Sequence, residues 1–320
     1  WQLIRAAAPA MMAGNAVVLK HASNVPQCAL ALEAAFQQAG FPANTFRTFM
    51  ISAAQAESMI ADRRIAAVTL TGSCAAGRKV AAMAGQHLKK CVLELGGSDP
   101  FIVLDDVDIE STAQQALVAR LQNMGQSCIA AKRFILQETI ADVFVEQLQT
   151  LISQLRSGDP KDTGTTIAPM ARMDLRSELQ AQVERSQALG AQLVTGGLPI
   201  GEQGAYYAPA ILDHVQPGMP AFDEELFGPV AAIVRVKNAE EAVQLANRTQ
   251  FGLGGSVWTR DPARGEALAR QIHAGCTFVN GIVKSDPRLP FGGIKESGYG
   301  RELSYHGARE FVNIKTVWVR

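Results

Sequence analysis

The feature that most constrains the fold of this chain is a regular alternation of short apolar runs with longer segments of helical spacing. Ala16-Val17-Val18-Leu19 follows the turn residues Gly14-Asn15, and residues 26–39 then have helical periodicity up to Gly40. Strands that alternate with helices predict a parallel, doubly wound sheet. The pattern continues with strand-like residues 45–51 and 65–71 and with helix-like residues 54–61 and 75–84.

A second α/β region follows the pair Gly96-Gly97. Its first part has strand-like residues 101–104 and 134–136, separated by a mostly helical stretch at residues 109–124. Amphipathic stretches at 140–156 and 175–189 predict long helices, and strand-helix alternation resumes over 231–280. The chain finishes on Thr316-Val317-Trp318-Val319, an apolar strand-like run that needs a partner edge and so suggests oligomerisation.

Composition excludes several classes of protein. Hydrophobic residues make up 48% of the 320 and charged residues 19%, and 30 basic side chains balance 30 acidic ones. This composition indicates neither disorder nor a nucleic-acid partner. No apolar run is long enough to span a bilayer, and the segment after Trp1 lacks the features of a signal peptide. We therefore expect a cytoplasmic protein without a membrane partner, and the opening without Met leads us to expect a chain truncated at its N-terminus.

The cysteines narrow the possibilities further. The five cysteines are odd in number and widely spaced, and they include no Cys-x-x-Cys pair. This spacing argues against a disulfide framework and against a zinc site, and it favours a reducing compartment. We expect no bound metal.

Two residues have the chemistry of a nucleophile and a general base. Cys128 lies in Gly125-Gln126-Ser127-Cys128, among small and uncharged residues, and Glu94 lies between Leu93 and Leu95. A thiol and an apolar-flanked carboxylate are suited to covalent catalysis with a tuned base. The alternative is that Cys128 is a buried small hydrophobic residue, which is the commoner fate of an unpaired cysteine.

Three further segments have the residue types of a nucleotide site. Thr71-Gly72-Ser73 combines a strand end with a helix start, where backbone N–H groups can meet a phosphate, although a simple helix cap explains it equally well. Lys20 follows a strand and reaches either a ribose or solvent. Glu225-Leu226-Phe227-Gly228-Pro229 offers a carboxylate and an aromatic ring for a ribose and a flat ring, or else ends a loop.

Together these segments resemble the aldehyde dehydrogenase superfamily over nearly the whole chain. The order of the motifs matches as well as their residues, which makes the signal specific. Within the superfamily, Lys20-His21-Ala22 and Cys91 to Pro100 are most similar to bacterial NAD(P)-dependent succinate-semialdehyde dehydrogenases. Six motifs carry the resemblance: residues 14–20, 71–73, 93–97, 125–128, 225–229 and 290–293.

The resemblance implies a catalytic role for two of these residues. Cys128 would attack an aldehyde as the thiolate, and its own backbone N–H would help to hold the oxyanion. After hydride transfer to the nicotinamide, Glu94 would activate the water that hydrolyses the thioester to a carboxylic acid. The implied cofactor is NAD or NADP.

The resemblance also implies a set of cofactor contacts. Many NAD-preferring relatives have a glutamate at the position of Ser23, so the serine implies that NADP is accepted alongside NAD. His21 is expected to be structural or to offer only its backbone. The implied contacts are Lys20, His21, Ala22 and Ser23 near the adenosine ribose, Gly72 and Ser73 at the pyrophosphate, Leu95 at the nicotinamide amide, Glu225 at the nicotinamide ribose, and Phe227 packed nearby.

For the substrate, the resemblance implies an aldehyde with a distal carboxylate, succinate semialdehyde first. Arg5 aligns with an arginine that grips such a carboxylate, and Ser285 falls in the matching substrate loop. A second arginine of some relatives is Gln122 here, with Arg120 two residues away, so another small or ω-carboxy aldehyde stays open. The alternative for Arg5 is an ion pair.

The resemblance divides the chain into parts. Residues 1–96 would be the C-terminal part of an NAD(P)-binding domain, 97–296 a catalytic domain, and 297–320 a return segment with an oligomerisation strand. The expected assembly is a homodimer or homotetramer. The oxyanion asparagine of the family would lie before Trp1, so we expect these 320 residues alone to be poorly active.

Two other classes of function remain as alternatives. A cysteine hydrolase or acyltransferase also needs a thiol and a base, but it needs neither Lys20 nor Glu225. A non-catalytic scaffold would be expected to have lost catalytic positions, whereas Cys128 and Glu94 are both present.

Overall fold

The computed structural model describes residues 1–320, which form alternating helices and strands. The first part of the chain contains α1 Gln2–Met12, β1 Val17–Leu19, α2 Pro26–Gln38, β2 Phe46–Thr48, α3 Ala53–Ala61, β3 Ala67–Thr71, α4 Cys74–Gln86 and β4 Lys90–Glu94. The middle contains β5 Pro100–Val103, α5 Ile109–Leu121, β6 Arg133–Gln137, α6 Glu138–Ser153, α7 Met173–Ala188, β7 Gln192–Thr195, β8 Ala210–Asp213, α8 Pro220–Asp223, β9 Val230–Val236, α9 Ala239–Asn247, β10 Gly254–Trp258, α10 Pro262–Ala269 and β11 Cys276–Val279. The last elements are β12 Gly298–Tyr299 and α11 Ser304–Arg309.

The chain divides into two compact units. Unit 1 consists of residues 1–95, 285–292 and 298–320, and unit 2 consists of residues 96–284 and 293–297. The domain boundaries at residues 96 and 296 stay a prediction, because compact units and functional domains need not coincide.

The core of unit 2 is a seven-stranded sheet in the order β11-β10-β5-β6-β9-β8-β7. All neighbouring strands are parallel except β7 and β8, which pair antiparallel at one edge. Alternate residues of β6 pack on opposite faces: Ile135 belongs to one buried cluster, while Phe134 and Leu136 belong to the other. Helices cover both faces, so the central strands are apolar throughout, as in other parallel sheets. This confirms the predicted α/β class.

In unit 1 the strands form two small sheets instead of one continuous sheet. β1 pairs with β2 in parallel, and β4 lies between β3, which is parallel to it, and β12, which is antiparallel. β1 and β2 have only three residues each, and β2 does not pair with β3. The predicted incomplete cofactor-domain sheet is therefore present in two pieces.

The C-terminal residues form no strand within this chain. Residues 313–320 have no regular secondary structure, and Trp318 is 83% exposed. The strand-like run at residues 316–319 therefore has no partner edge in its own chain. The predicted oligomerisation strand stays a prediction.

None of the helices combines the length and the apolar character that crossing a membrane requires.

Candidate active site

Glu94 is the last residue of β4, and its carboxylate is completely buried. Neither carboxylate oxygen has a hydrogen-bond partner in the structure. Burial raises the pKa of Glu94 to about 8, and the charge of Glu302 raises it too, while Arg5 and Arg301 oppose the shift. The chain approaches the carboxylate closely at Gly292, where a Cβ atom would lie 2.8 Å from Glu94 Oε1. Glu94 therefore has the environment of a general base tuned toward neutral pH.

Arg5 lies in the same unit and is also buried. Its Nε atom donates to Glu302 Oε2 at 2.5 Å, and its guanidinium lies over the ring of Phe291, 4.4 Å from the centroid. Arg5 Nη2 has no partner among the protein groups. Arg5 thus forms the ion pair considered as its alternative role, yet it keeps one buried donor that could bind a substrate carboxylate.

Ser285, the other predicted substrate residue, belongs to unit 1 as well. Its hydroxyl accepts a hydrogen bond from Trp1 Nε1 at 2.6 Å. The structure therefore attaches the predicted substrate loop to the first residue of the chain.

The predicted pyrophosphate site is the exposed N-terminus of α4. Ser73 caps this helix by accepting from the Ala76 N–H, and the first turn contains no acidic residue. The Gly72 N–H donates to the Glu94 carbonyl at 3.0 Å, which ties this turn to the end of β4. An exposed helix N-terminus whose first turn has no acidic residue suits an anion. These residues fit the phosphates of NAD(P).

The remaining predicted cofactor residues of unit 1 lie near strand ends. Lys20 and His21 directly follow β1 and are partly buried, while Ala22 and Ser23 are exposed. Leu95 is buried against α4, because a Cβ atom at Gly77 would lie only 2.5 Å from Leu95 Cδ1. The backbone at residue 95 is therefore held in place by helix packing.

Cys128 belongs to unit 2, in the loop that leads from α5 into β6, and it is partly exposed. Asn123, Met124 and Gly125 have successive positive φ angles of 52°, 57° and 70° just before it. A Cβ atom at Gly125 would lie 2.2 Å from the Gly228 carbonyl oxygen, so this position requires glycine. Such a run of left-handed residues is costly and is typical of functional loops.

Two buried cationic side chains donate hydrogen bonds to carbonyl groups of this loop. Arg120 is buried and donates from Nη2 to the Gly125 carbonyl at 2.7 Å, so it is used by the loop itself. Lys132 Nζ donates to the Ser127 and Cys128 carbonyls at 2.9 and 2.8 Å.

Glu225 is brought close to the same lysine. Its Oε1 atom lies 3.4 Å from Lys132 Nζ and accepts from the Gly97 N–H at 3.1 Å. A fifth of the Glu225 side chain is exposed, and Phe227, two residues on, is partly buried. Lys132 thus connects the predicted nicotinamide-ribose carboxylate with the backbone of the predicted nucleophile.

Sequence reasoning missed Glu302 and Lys132. Glu302 follows the glycine-dense stretch in Gly300-Arg301-Glu302, and this charge beside a loop was the available signal. Lys132 follows the apolar run Ile129-Ala130-Ala131, and a charged residue at the end of such a run was the available signal. Neither contact could be derived from spacing alone.

Comparison with known proteins identifies the family of this chain. The model of the aldehyde dehydrogenase family matches residues 1–317. The chain belongs to the aldehyde dehydrogenase family. Membership confirms the resemblance that the six sequence motifs indicated, and it places the α/β fold within a known family.

Among curated relatives of this aldehyde dehydrogenase, a Mycobacterium tuberculosis protein named succinate-semialdehyde dehydrogenase NADP(+) 1 is 50% identical over 319 residues, which are 100% of this chain and 70% of the relative. An Escherichia coli protein named succinate semialdehyde dehydrogenase NAD(P)+ Sad is 49% identical over 99% of this chain and 69% of its own length. Among solved structures, the succinic semialdehyde dehydrogenase of Streptococcus pyogenes in complex with NADP+ has a TM-score of 0.97 and 40% identity, covering 99% of this chain and 70% of that one.

The buried Glu94 carboxyl predicts a pH-dependent stability difference. Its pKa is raised from 4.5 to about 8, so the folded protein holds a proton there that the unfolded chain releases. This contribution to stability is present below the unfolded pKa and is lost as pH rises through the folded one. Glu94→Gln has no titratable group at this position. As pH rises through this window, the free energy of unfolding of the parent should therefore fall relative to that of Glu94→Gln by roughly 1 kcal/mol per pH unit.

Urea unfolding of both proteins at about pH 5, 7 and 9 measures the difference. Glu57→Gln, at an exposed position of α3, is the matched control and should follow the parent. A stability difference between Glu94→Gln and the parent that stays constant with pH would contradict the assignment.

Proposed function

We propose that this aldehyde dehydrogenase uses NAD(P)+ to oxidise succinate semialdehyde to the carboxylic acid, through a covalent intermediate on Cys128. The observation that carries the proposal is the buried, unpartnered Glu94 carboxylate with its pKa raised to about 8. A base whose pKa lies near the working pH can activate water. Activated water is needed to hydrolyse the thioester, and a thiol alone does not supply it.

In the proposed reaction, the Cys128 thiolate attacks the aldehyde carbon, and the carbonyl oxygen becomes an oxyanion that the Cys128 N–H binds. Bound NAD(P)+ would supply the hydride acceptor for this carbon, and loss of the hydride would leave a thioester on the Cys128 sulfur. Glu94 then takes a proton from water as the hydroxide attacks the thioester carbon. The C–S bond breaks, the acid leaves, and Cys128 returns as the thiolate.

The proposed cofactor contacts of unit 1 lie at strand ends and at the start of α4. Lys20 and Ser23 would bind the adenosine ribose, with His21 and Ala22 between them, and Gly72 and Ser73 would bind the pyrophosphate at the start of α4. In unit 2, Glu225 would bind the nicotinamide ribose beside Phe227, and in unit 1 the Leu95 backbone would bind the carboxamide. The relatives whose names include NADP(+) or NAD(P)+ support this choice of cofactor.

For the substrate, the names of the relatives and the buried Arg5 Nη2 atom support an aldehyde with a distal carboxylate. A guanidinium that already neutralises Glu302 on Nε can still offer Nη2 to a second carboxylate. Ser285 would add a hydroxyl donor. A homo-oligomer also stays part of the proposal, supported by the exposed apolar residues at the C-terminus.

A panel of aldehydes tests the substrate assignment. The natural full-length protein and its Arg5→Ala variant are assayed for NAD(P)H formation with succinate semialdehyde and with an uncharged aldehyde of similar length. Because removing a charge-assisted bond costs about 1.5–3 kcal/mol, kcat/KM for the semialdehyde should fall roughly tenfold or more beyond any loss with the neutral aldehyde.

Equal losses with both aldehydes would show that Arg5 serves only the ion pair with Glu302. Arg47→Ala removes a half-exposed arginine that pairs with Glu33, and it is the matched control for loss of an ion pair in the same unit. The parent protein failing to form NAD(P)H with any aldehyde, while it still turns over thioesters, would favour a cysteine hydrolase.

Ser23 generates a prediction about cofactor choice. Ser23 is exposed after β1, and a carboxylate at this position would repel the 2′-phosphate that only NADP carries. Ser23→Glu should raise the Kd of NADP+ about tenfold or more and leave that of NAD+ nearly unchanged.

Titration calorimetry with both cofactors measures the two constants. Gln27→Glu adds the same charge at an exposed position in the first turn of α2 and should not discriminate between them. The same loss of affinity for NAD+ and NADP+ in Ser23→Glu would overturn the assignment of Ser23.

A further inference from the structure

Lys132 is a fully buried lysine that contacts the loop containing Cys128. Its Nζ atom lies 2.9 Å from the Ser127 carbonyl oxygen, 2.8 Å from the Cys128 carbonyl oxygen and 3.4 Å from Glu225 Oε1. These three acceptors match the three N–H donors of an ammonium group. Burying a charge is costly even when it is paired, so a lysine at this position calls for a specific role.

The geometry of the Ser127–Cys128 peptide suggests that role. The chain contains no cis peptide bond. In a trans peptide the C=O and N–H groups point in opposite directions. Since the Ser127 carbonyl points at Lys132 Nζ, the Cys128 N–H of the same peptide points away from the lysine. A cation on the carbonyl also polarises the amide, which makes its N–H a stronger donor.

The surroundings also restrict the Cys128 backbone. Gly97 lies against the next peptide, Cys128–Ile129, since a Cβ atom there would come within 2.8 Å of the Cys128 carbonyl oxygen. The Gly97 N–H in turn holds the same Glu225 oxygen that contacts Lys132. Lys132 therefore fixes the Cys128 backbone and the Glu225 carboxylate through one ammonium group.

We propose that Lys132 is the positioning residue of the nucleophile: its ammonium holds the Ser127–Cys128 peptide with the Cys128 N–H set to receive an oxyanion, and its charge favours the Cys128 thiolate. The effect on turnover rests on the proposed dehydrogenase function. The effect on thiol reactivity does not, because alkylation of Cys128 needs neither cofactor nor aldehyde.

The charged groups that act on Lys132 are Glu225, Arg120, Asp99 and the Cys128 thiolate. Burial lowers the pKa of Lys132, the charge of Glu225 raises it, Arg120 lowers it further, and Asp99 and Cys128 raise it. Attraction between two charges is mutual, so a protonated Lys132 stabilises the Cys128 thiolate by the same interaction.

The rate of Cys128 alkylation against pH tests the proposal. Lys132→Met keeps most of the apolar stem and removes the charge. The protein and its variants are treated with iodoacetamide across about pH 6–10, and mass spectrometry follows the Cys128 peptide separately from those of the other cysteines. In Lys132→Met the alkylation profile should move to higher pH, and the rate at about pH 7 should fall roughly tenfold.

Lys161→Met, which removes an exposed lysine of unit 2, is the matched control and should alkylate like the parent. If Lys132→Met fails to fold, Lys132→Gln replaces it, since this variant keeps an N–H donor but has no charge, and the same upward shift is expected. A folded neutral variant whose alkylation profile coincides with that of the parent overturns the proposal.

Turnover gives an independent arm. In the natural full-length protein, kcat of Lys132→Met should fall roughly tenfold or more, because the oxyanion donor is no longer held, while KM for the aldehyde changes much less. Lys132→Arg keeps the charge and should restore part of the rate and most of the alkylation profile. A lower Tm with unchanged kcat and alkylation would show a purely structural lysine. If the parent protein forms no NAD(P)H, the proposed function is refuted, and the alkylation result alone then tests the role of Lys132.

Discussion

Desolvation of the Glu94 carboxylate is the physical constraint on which the proposed chemistry of this protein depends. A buried carboxylate without hydrogen bonds favours its protonated form, and here burial does more than any neighbouring charge to raise the pKa. The local backbone maintains that burial: β4 lies between β3 and β12, and glycine at position 292 lets the chain pass close to Oε1. Segments that are distant in the sequence therefore shield this one carboxyl group from solvent.

Unit 2 holds the loop that contains Cys128, the proposed nucleophile. Its sheet is covered on both faces, and β6 begins shortly after Cys128, so the loop leads directly into a central, buried strand of the sheet. Buried cations then donate to the Gly125, Ser127 and Cys128 carbonyls of this loop, and the Ala130 N–H also donates to the Ser127 carbonyl. Burying Arg120 and Lys132 costs free energy, which their hydrogen bonds to the loop carbonyls and the contact of Lys132 with Glu225 partly offset.

Much of this could be predicted from the sequence because it depends on local patterns. The long helices at residues 140–156 and 175–189 appear as α6 and α7, with ends displaced by at most three residues. The motifs around Cys128 and Glu94 predicted the family correctly. Motif order and apolar periodicity are properties of the sequence itself, so they can be recognised without a structure.

The rest depended on contacts between distant residues. Arg5 and Glu302 are separated by 297 positions, and only the fold shows that they form a buried pair. The contact of Lys132 with Glu225 likewise spans two regions whose sequences have no common pattern. The split of the unit 1 strands into two sheets follows from which edges meet, a property that strand propensity does not contain.

The central claim is that Glu94 activates the water that releases an acyl group from Cys128. Mass spectrometry of the natural full-length Glu94→Gln variant, after a single turnover with succinate semialdehyde and NADP+, tests it most directly. We predict NADPH formation in a burst, followed by a persistent acyl group on the Cys128 peptide, because the thioester forms without a base to hydrolyse it. An unmodified Cys128 together with steady release of product at the parent rate would contradict the account.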